Sequence, residues 1–385
     1  MKILIYEWKA YSYKDIVCSF QKMGHEVFFI SQPMKNYDVD DEFVALLRDE
    51  LSKNRYDFVF TVNYFSLISN VCQETNTKYV VWTYDNPLIS MYHKSVFNEC
   101  NYIFTFDKTN YLEFKGMGVE NIFHLPLATD ALRMEETIGV QNDDKWLHEI
   151  SFVGNMYERN TYNSLEHKLP EYLKGYFDAV IEAQLNISGG NIVEALLTND
   201  ILEELDKYFN LKKEKDSFSD LRLVFQTTVL GFKIEQEQRR RGIIELSKKF
   251  DVTVYSDSDL SEFIGVDKQG PCDYWSQLPL IFNRSKININ MTIPNIKSGI
   301  PLRVWDVLGA GGFLLTNYQA EIGYYFEDGK DLVCYEDIGD LVEKADFYLK
   351  HEELRKSIAL NGHEKVKKYH TYDERIKKML NIIVS

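Results

Sequence analysis

The residues best suited to chemistry on a phosphate-bearing ligand are concentrated between Ser298 and Asn317. The stretch reads Ser-Gly-Ile-Pro-Leu-Arg-Val-Trp-Asp-Val-Leu-Gly-Ala-Gly-Gly-Phe-Leu-Leu-Thr-Asn. Gly299 sits in a loop, and Pro301 falls in the first turn of a short helix, where a missing N–H costs little. Arg303 and Asp306 are three apart and share one helix face. Leu302, Trp305 and Leu308 form its apolar stripe, and Gly311 with Gly312 ends it before a strand at Phe313–Thr316. A helix N-terminus behind a glycine loop favours a diphosphate. A carboxylate deeper in the helix reaches ribose hydroxyls, and Lys297 beside Ser298 adds either a diphosphate contact or a surface cation. The combination suits a nucleotide-sugar site; the alternative is an ordinary strand–loop–helix of an α/β domain.

Upstream, Lys286 to Ile293 alternates with period 2 and reads as a strand. Its neighbours are helical patterns, so a parallel sheet covered on both faces is expected. Asn288, Asn290 and Thr292 then need partners, either in neighbouring loops or in a ligand cleft at the carboxyl ends of the strands. The residues at such ends are Glu7, Asn63, Asp85 and Asp107 in the first half, and Asn155, Tyr255, Asn290 and Asn317 in the second. Asp85 ends an apolar strand and is the preferred general base, Glu7 the second. The competing reading of Asp85 is a helix N-cap. His25, His93 and His124 lie at no clear strand exit. Gly116-Met117-Gly118 lacks the third glycine of a dinucleotide fingerprint, and P-loop, zincin and serine-hydrolase motifs are absent from the sequence.

The elements that must position these groups follow from periodicity. Strands are expected at Lys2–Tyr6, Glu26–Ile30, Asp57–Val62, Lys78–Thr83, Tyr102–Phe106 and Asn121–Leu125, with helices between them, for example Asp41–Ser52 and Pro87–Cys100. Alternation of this kind implies a doubly wound parallel sheet. Glu135–Trp146 is polar and reads as a linker. A second α/β unit begins near Glu149, with a helical elaboration over about 157–219 and an exposed charged loop at Lys212–Asp220. Strands resume at Leu221–Phe225, Val252–Tyr255, Ile287–Met291, Phe313–Thr316 and Leu332–Tyr335, and Asp340–Tyr369 is helical. The expected domains are 1–135 and 149–371.

At 385 residues the chain suits two domains with ample core, and 45% hydrophobic against 27% charged residues marks it as globular. The formal charge of −15 argues against nucleic acid, whose binding rests on neutralising phosphates, and against broad attachment to anionic membranes. Arg239-Arg240-Arg241 with Lys248-Lys249 is the notable basic cluster; its helical setting reads as a solvated face. Tyr 25 and Phe 24 are high counts that fit an aromatic core or carbohydrate stacking. Cys18, Cys72, Cys100, Cys272 and Cys334 are scattered, odd in number and unlike metal ligands, as expected of reduced thiols in the cytoplasm. The N-terminus resembles a strand rather than a signal peptide, and no apolar run reaches membrane-spanning length.

The block from Tyr274 to the end resembles the C-terminal domain of group 1-like, GT-B-fold glycosyltransferases, in the subgroup that includes the spore maturation protein CgeB. The matching pieces are Tyr274–Asn290, Gly299…Arg303…Asp306, Gly311 to Thr316, and Gly362 to Arg375 with His370-Thr371-Tyr372. Val81 to Pro87, Ile103 to Lys108 and His124 to Ala128 resemble the partner domain, and Ser151 to Asn155 with Arg159 the opening of the second. The resemblance implies two Rossmann-like doubly wound domains facing a cleft, with a final helix, 372–385, crossing back to the first. It implies transfer of a sugar from a nucleoside-diphosphate sugar, of UDP type, to a protein, glycan or surface-polymer acceptor, without cofactor or essential metal. Lys297–Gly299 and Arg303 would stabilise the leaving diphosphate, Asp306 would hold the ribose, and Asn155 and Arg159 would reach the donor; Tyr255 and Asn290 would line its site. Glu7 occupies a position used for the base by some inverting relatives. Asp257-Ser258-Asp259 mimics a metal-binding pair of a different glycosyltransferase architecture and is discounted. The chain departs from the family at Ser298, where retaining members carry a glutamate, which leaves donor and stereochemistry open. The rivals are a nucleotide-sugar epimerase on the same fold and a non-catalytic nucleotide-binding partner in a glycosylation complex.

Overall fold

The computed structural model describes residues 1–8, 10–140, 146–187, 189–209, 211 and 213–384. Period-2 and buried apolar runs become two six-stranded sheets, each wholly parallel. The first contains β1 (Lys2–Tyr6), β2 (Glu26–Ile30), β3 (Phe58–Val62), β4 (Lys78–Trp82), β5 (Asn101–Thr105) and β6 (Ile122–His124), in the order β2-β1-β3-β4-β5-β6. The second contains β7 (His148–Val153), β8 (Val252–Tyr255), β9 (Asp267–Gln269), β10 (Ser285–Asn290), β11 (Leu314–Asn317) and β12 (Val333–Tyr335), in the order β12-β11-β10-β7-β8-β9. Strand order reverses between β1 and β3 in one sheet and between β7 and β10 in the other. Such switch points open a crevice at the carboxyl ends of the strands. β3 is buried along its whole length, as expected of a parallel strand covered on both faces.

The chain divides into two compact units. The first comprises Met1–Leu127, Lys212–Ser219 and Tyr372–Ser385; the second comprises Ala128–Leu211 and Asp220–Thr371. In the first, the final helix Tyr372–Val384 is tied down at both ends. Arg375 Nε donates to Pro126 O at 3.0 Å, and Lys78 Nζ donates to Ile383 O at 2.6 Å. Part of the exposed, charged loop expected at Lys212–Asp220 is also bonded into this unit. Phe218 N donates to Tyr92 O at 2.8 Å, Lys94 N to Asp216 O at 3.0 Å, and His93 bridges Ser217. These bonds also explain why the helix expected at Pro87–Cys100 is reduced to two 3₁₀ turns, Ile89–Met91 and Lys94–Phe97. Tyr92 O and Lys94 N are spent outside any helix.

In the second unit, the helical elaboration has its own core, including Tyr162, Phe177, Leu205, Phe225 and Ile234. Leu221–Phe225, expected as a strand, is helical because Asp220 caps it, accepting from Leu223 N at 2.8 Å. The linker expected over Glu135–Trp146 starts within a helix, Ala131–Gly139, that belongs to the second unit, so the border falls at residues 127–128 rather than 135. Residues 141–145 of that linker lie outside the described residues. The helix expected at Asp340–Tyr369 is two, Ile338–Lys350 and Glu352–Tyr369, broken at His351.

Helix Leu302–Gly309, which carries Arg303 and Asp306, packs closely on Glu352–Tyr369 through Gly362. A Cβ at Gly362 would lie 2.2 Å from Asp331 O and 2.8 Å from Leu308 Cδ2. Gly362→Ala is therefore expected to destabilise the protein by about 1–3 kcal/mol through overpacking, although alanine gains about 1 kcal/mol in helix propensity. Urea denaturation gives the sign: a variant as stable as the parent would show that the contact yields without cost.

Candidate functional site

Three groups of side chains in the second unit hold the residues expected at a donor site. The first resolves the polar residues of β10. Asn288 Nδ2 donates to Phe282 O at 2.9 Å and Phe313 O at 3.1 Å, and its Oδ1 accepts from Ser151 Oγ at 2.9 Å. Asn290 Nδ2 donates to Thr292 Oγ1 and Thr316 Oγ1, both at 2.9 Å. Asn288 thus ties mid-β10 to β7 and to the amino ends of β10 and β11, whereas Asn290 ties the carboxyl ends of β10 and β11 together. Beyond them lies a cleft of about 720 Å³, open to solvent, whose walls include Thr292, Lys297, Asn317, Gln319 and Tyr335. Lys297 Nζ stands 3.6 Å from Glu194 Oε2, and Ser298 Oγ donates to Glu321 Oε1 at 2.8 Å.

The second group surrounds helix Leu302–Gly309. Asp306 is only 1% exposed, and its Oδ1 accepts from Tyr274 OH at 3.0 Å. Burial pushes its pKa up to about 6, opposed by the charge of Arg303, the Tyr274 bond and the charge of Arg133. Arg303 lies over the Phe282 ring at 5.2 Å, with its Nη1 buried and without a hydrogen-bond partner. Arg133 covers Trp275 and Tyr274, 4.6 and 5.8 Å from the ring centroids. Tyr274 and Arg133 are thus members of this group; Tyr274 fell within the family resemblance, whereas no local pattern marked Arg133.

The third group follows β7. Asn155 Oδ1 accepts from Tyr157 N at 2.5 Å, and its Nδ2 lies 3.5 Å from Asp257 Oδ1. The Arg159 side chain is 84% exposed and pairs loosely with Glu158 at 3.5 Å. Tyr255 ends β8 and is turned to His148 Nε2 at 2.9 Å. The helical run from Arg239 to Arg241 is expected from sequence to be a solvated face. Arg240 and Arg241 do form surface pairs, with Glu262 and Glu182, but Arg239 turns inward to the fully buried Glu235. The i, i+4 spacing of Glu235 and Arg239 was the available signal.

In the first unit, Asp85 follows β4 and is held by Asn63 from the end of β3. Asn63 Nδ2 donates to Asp85 Oδ2 at 2.7 Å; Asn63 Oδ1 accepts from Tyr84 N at 2.7 Å and Asp85 N at 3.2 Å. Asn63 takes a left-handed backbone, φ 63°, a conformation asparagine tolerates. Solvent reaches Asp85, yet protein atoms crowd its carboxyl, and this desolvation raises its pKa; the Asn63 bond opposes the rise. Asp85 caps no helix: the following 3₁₀ turn begins at Ile89 and has Leu88 before it. Glu7 is exposed after β1, and its Oε2 accepts from Ser31 Oγ at 2.6 Å. Among the described residues no group of three or more His, Cys, Asp or Glu could hold a metal ion.

The buried Asp306 makes a pH signature. Its folded pKa lies above the ordinary Asp value, so the folded state holds the proton more tightly than the unfolded one. Stability from this group is therefore fullest below the unfolded pKa and declines as pH rises towards about 6. Asp306→Asn removes the titration and can still accept from Tyr274. The variant should gain on the parent by up to about 3 kcal/mol between pH 4 and pH 7. Parallel pH dependence of the two melting curves would refute the assignment.

Residues 238–381 match the family model described as Glycosyl transferase-like. No curated protein matches the sequence. Solved structures resemble the chain over nearly its full length. Sucrose-phosphate synthase from Thermosynechococcus elongatus gives a TM-score of 0.56 at 9% identity, covering 99% of this chain and 98% of its own. HepE (Alr3699) from Anabaena, solved with UDP and glucose, gives 0.54 at 9% identity, covering 99% of each chain. An α-glucosyltransferase solved with UDP and a 13-mer DNA gives 0.55 at 12% identity, covering 100% of each. At these identities the likeness establishes architecture: the chain has the GT-B fold, two parallel Rossmann-like sheets with flanking helices.

Proposed function

We propose that the protein is a glycosyltransferase that binds a nucleoside-diphosphate sugar, of UDP type, on its second unit and transfers the sugar to a protein, glycan or surface-polymer acceptor. The observation that carries this reading is that Lys297, Ser298, Arg303 and Asp306 lie in the loop and helix that follow β10 of a Rossmann-ordered sheet, within the segment that matches the glycosyl transferase-like model. The UDP-bound state of HepE and of the α-glucosyltransferase supports the choice of nucleotide. The loop at Lys297–Gly299 and Arg303 flank the diphosphate, a preorganised electrostatic role. Asp306 receives the ribose hydroxyls once Tyr274 moves off its Oδ1. Asn155 and Arg159 approach the donor from the loop after β7, while Tyr255 and Asn290 shape the strand ends beneath it.

Asp85 is the acceptor base in this reading, and Glu7 is its control. A carboxylate whose pKa is raised by desolvation is a better proton acceptor than an ordinary one, and the Asn63 bond fixes its direction. The chemistry needs no resident cofactor. An epimerase on the same fold would consume donor without an acceptor. A non-catalytic partner would bind nucleotide and consume nothing.

A thermal-shift screen against nucleoside diphosphates, followed by donor consumption with and without acceptor polymers, tests the reading. UDP at a hundred times its Kd should add about 2.7 kcal/mol of stability; no response to any nucleoside diphosphate would refute it. Asp85→Asn should keep nucleotide affinity and lower turnover about 10²–10⁴-fold. Turnover by the parent should fall as pH drops through an apparent pKa above the usual Asp range. If Glu7→Gln loses turnover and Asp85→Asn does not, the base lies after β1; if both stay active, neither carboxylate is the base.

A further inference from the structure

We propose that Arg239 is a diphosphate-binding residue, held ready by the buried Glu235 at the switch point of the second sheet. This rests on the nucleotide-sugar reading above and adds a contact to it. Arg239 projects from helix Phe232–Ser247 to the carboxyl ends of β7 and β10, the two strands between which the order reverses. Its Nη1 donates to Asn155 O, just beyond β7, and its Nη2 donates to Met291 O, just beyond β10, at 3.0 Å. Its Nε donates to Glu235 Oε1. A guanidinium has five N–H groups; three are spent here, and two are left without an acceptor among the described residues.

The surroundings keep this group in one plane. The guanidinium carbon lies 5.3 Å from the Phe152 ring centroid and 4.9 Å from that of Tyr157. Gly154 leaves room for it: a Cβ there would stand 3.1 Å from Nη1. Glu235 is fully buried with its second oxygen unpartnered, so it has no solvent to turn to and stays on Arg239. The Arg239 side chain is 11% exposed, enough for contact and too little to swing away. Fixed, planar and partly desolvated, a guanidinium suits bidentate binding of phosphate oxygens better than a mobile lysine. Among the cations assigned to the donor, Lys297 stands 3.6 Å from Glu194, Arg303 lies on Phe282 and Arg159 is largely exposed; Arg239 differs in being fixed by a fully buried carboxylate.

The test separates phosphate recognition from packing. Calorimetry with uridine, UMP and UDP, and with the adenosine and guanosine series, defines how much the phosphates add in the parent. Arg239→Gln should weaken diphosphate binding about ten- to a hundredfold while the nucleoside alone binds as before. Arg239→Lys keeps the charge, loses the fork and should fall between them; it also serves if the glutamine variant does not fold. Equal losses for nucleoside and diphosphate mark a purely structural clamp and overturn the proposal, as does an unchanged diphosphate affinity in a folded variant. A parent that binds none of the diphosphates overturns the nucleotide reading itself, and this assignment with it.

Discussion

A parallel sheet covered on both faces has no room for an unsatisfied polar group, and that constraint arranges the rest of this protein. The strand interiors are apolar, so polar chemistry is displaced to the strand ends. Where β10 breaks the rule, the exceptions are used for construction. Asn288 spans from Ser151 on β7 to the carbonyls of Phe282 and Phe313. Asn290 gathers Thr292 and Thr316. These side chains are consumed in tying neighbouring strands, and the segments at both their ends, to one another.

The same constraint makes the charged groups of the second unit expensive to bury and therefore well positioned. Asp306 is almost without solvent and is sustained by Tyr274, Arg303 and Arg133. Glu235 is sustained by Arg239 alone, against desolvation that raises its pKa. Removing one partner of such a pair leaves an uncompensated charge, a loss of several kcal/mol. Neither pair is an efficient way to stabilise a core, since apolar residues of the same volume do as well or better.

The first unit shows a milder version. Asn63 accepts from two backbone N–H groups of the turn after β4 and donates to the carboxylate of Asp85, so one asparagine in a left-handed conformation sets both the turn and the carboxylate. Segment 213–219 enters this unit through backbone bonds to Tyr92 and Lys94, while the chain on either side of it belongs to the second unit. The unit is therefore built from three separate stretches of sequence, closed by the final helix.

Much of this was legible from local pattern. Alternating strands and helices place ten of the strands to within two residues of their bounds, because hydrophobic period is a local property. The glycine loop, Pro301 and the three-residue spacing of Arg303 and Asp306 mark the site helix for the same reason. What only the tertiary structure decided depends on partners remote in sequence. Arg239 looked like one charge in a solvated run; its acceptors are carbonyls 84 and 52 residues away. Leu221–Phe225 has an apolar run compatible with strand or helix, and the Asp220 cap with packing on Phe177 settles it as helix. Asp306 was chosen by position, but its proton affinity follows from burial beneath Tyr274, which no spacing encodes. Spacing determines which residues share a face; only folding determines what that face is pressed against, and hence its charge, its desolvation and its chemistry.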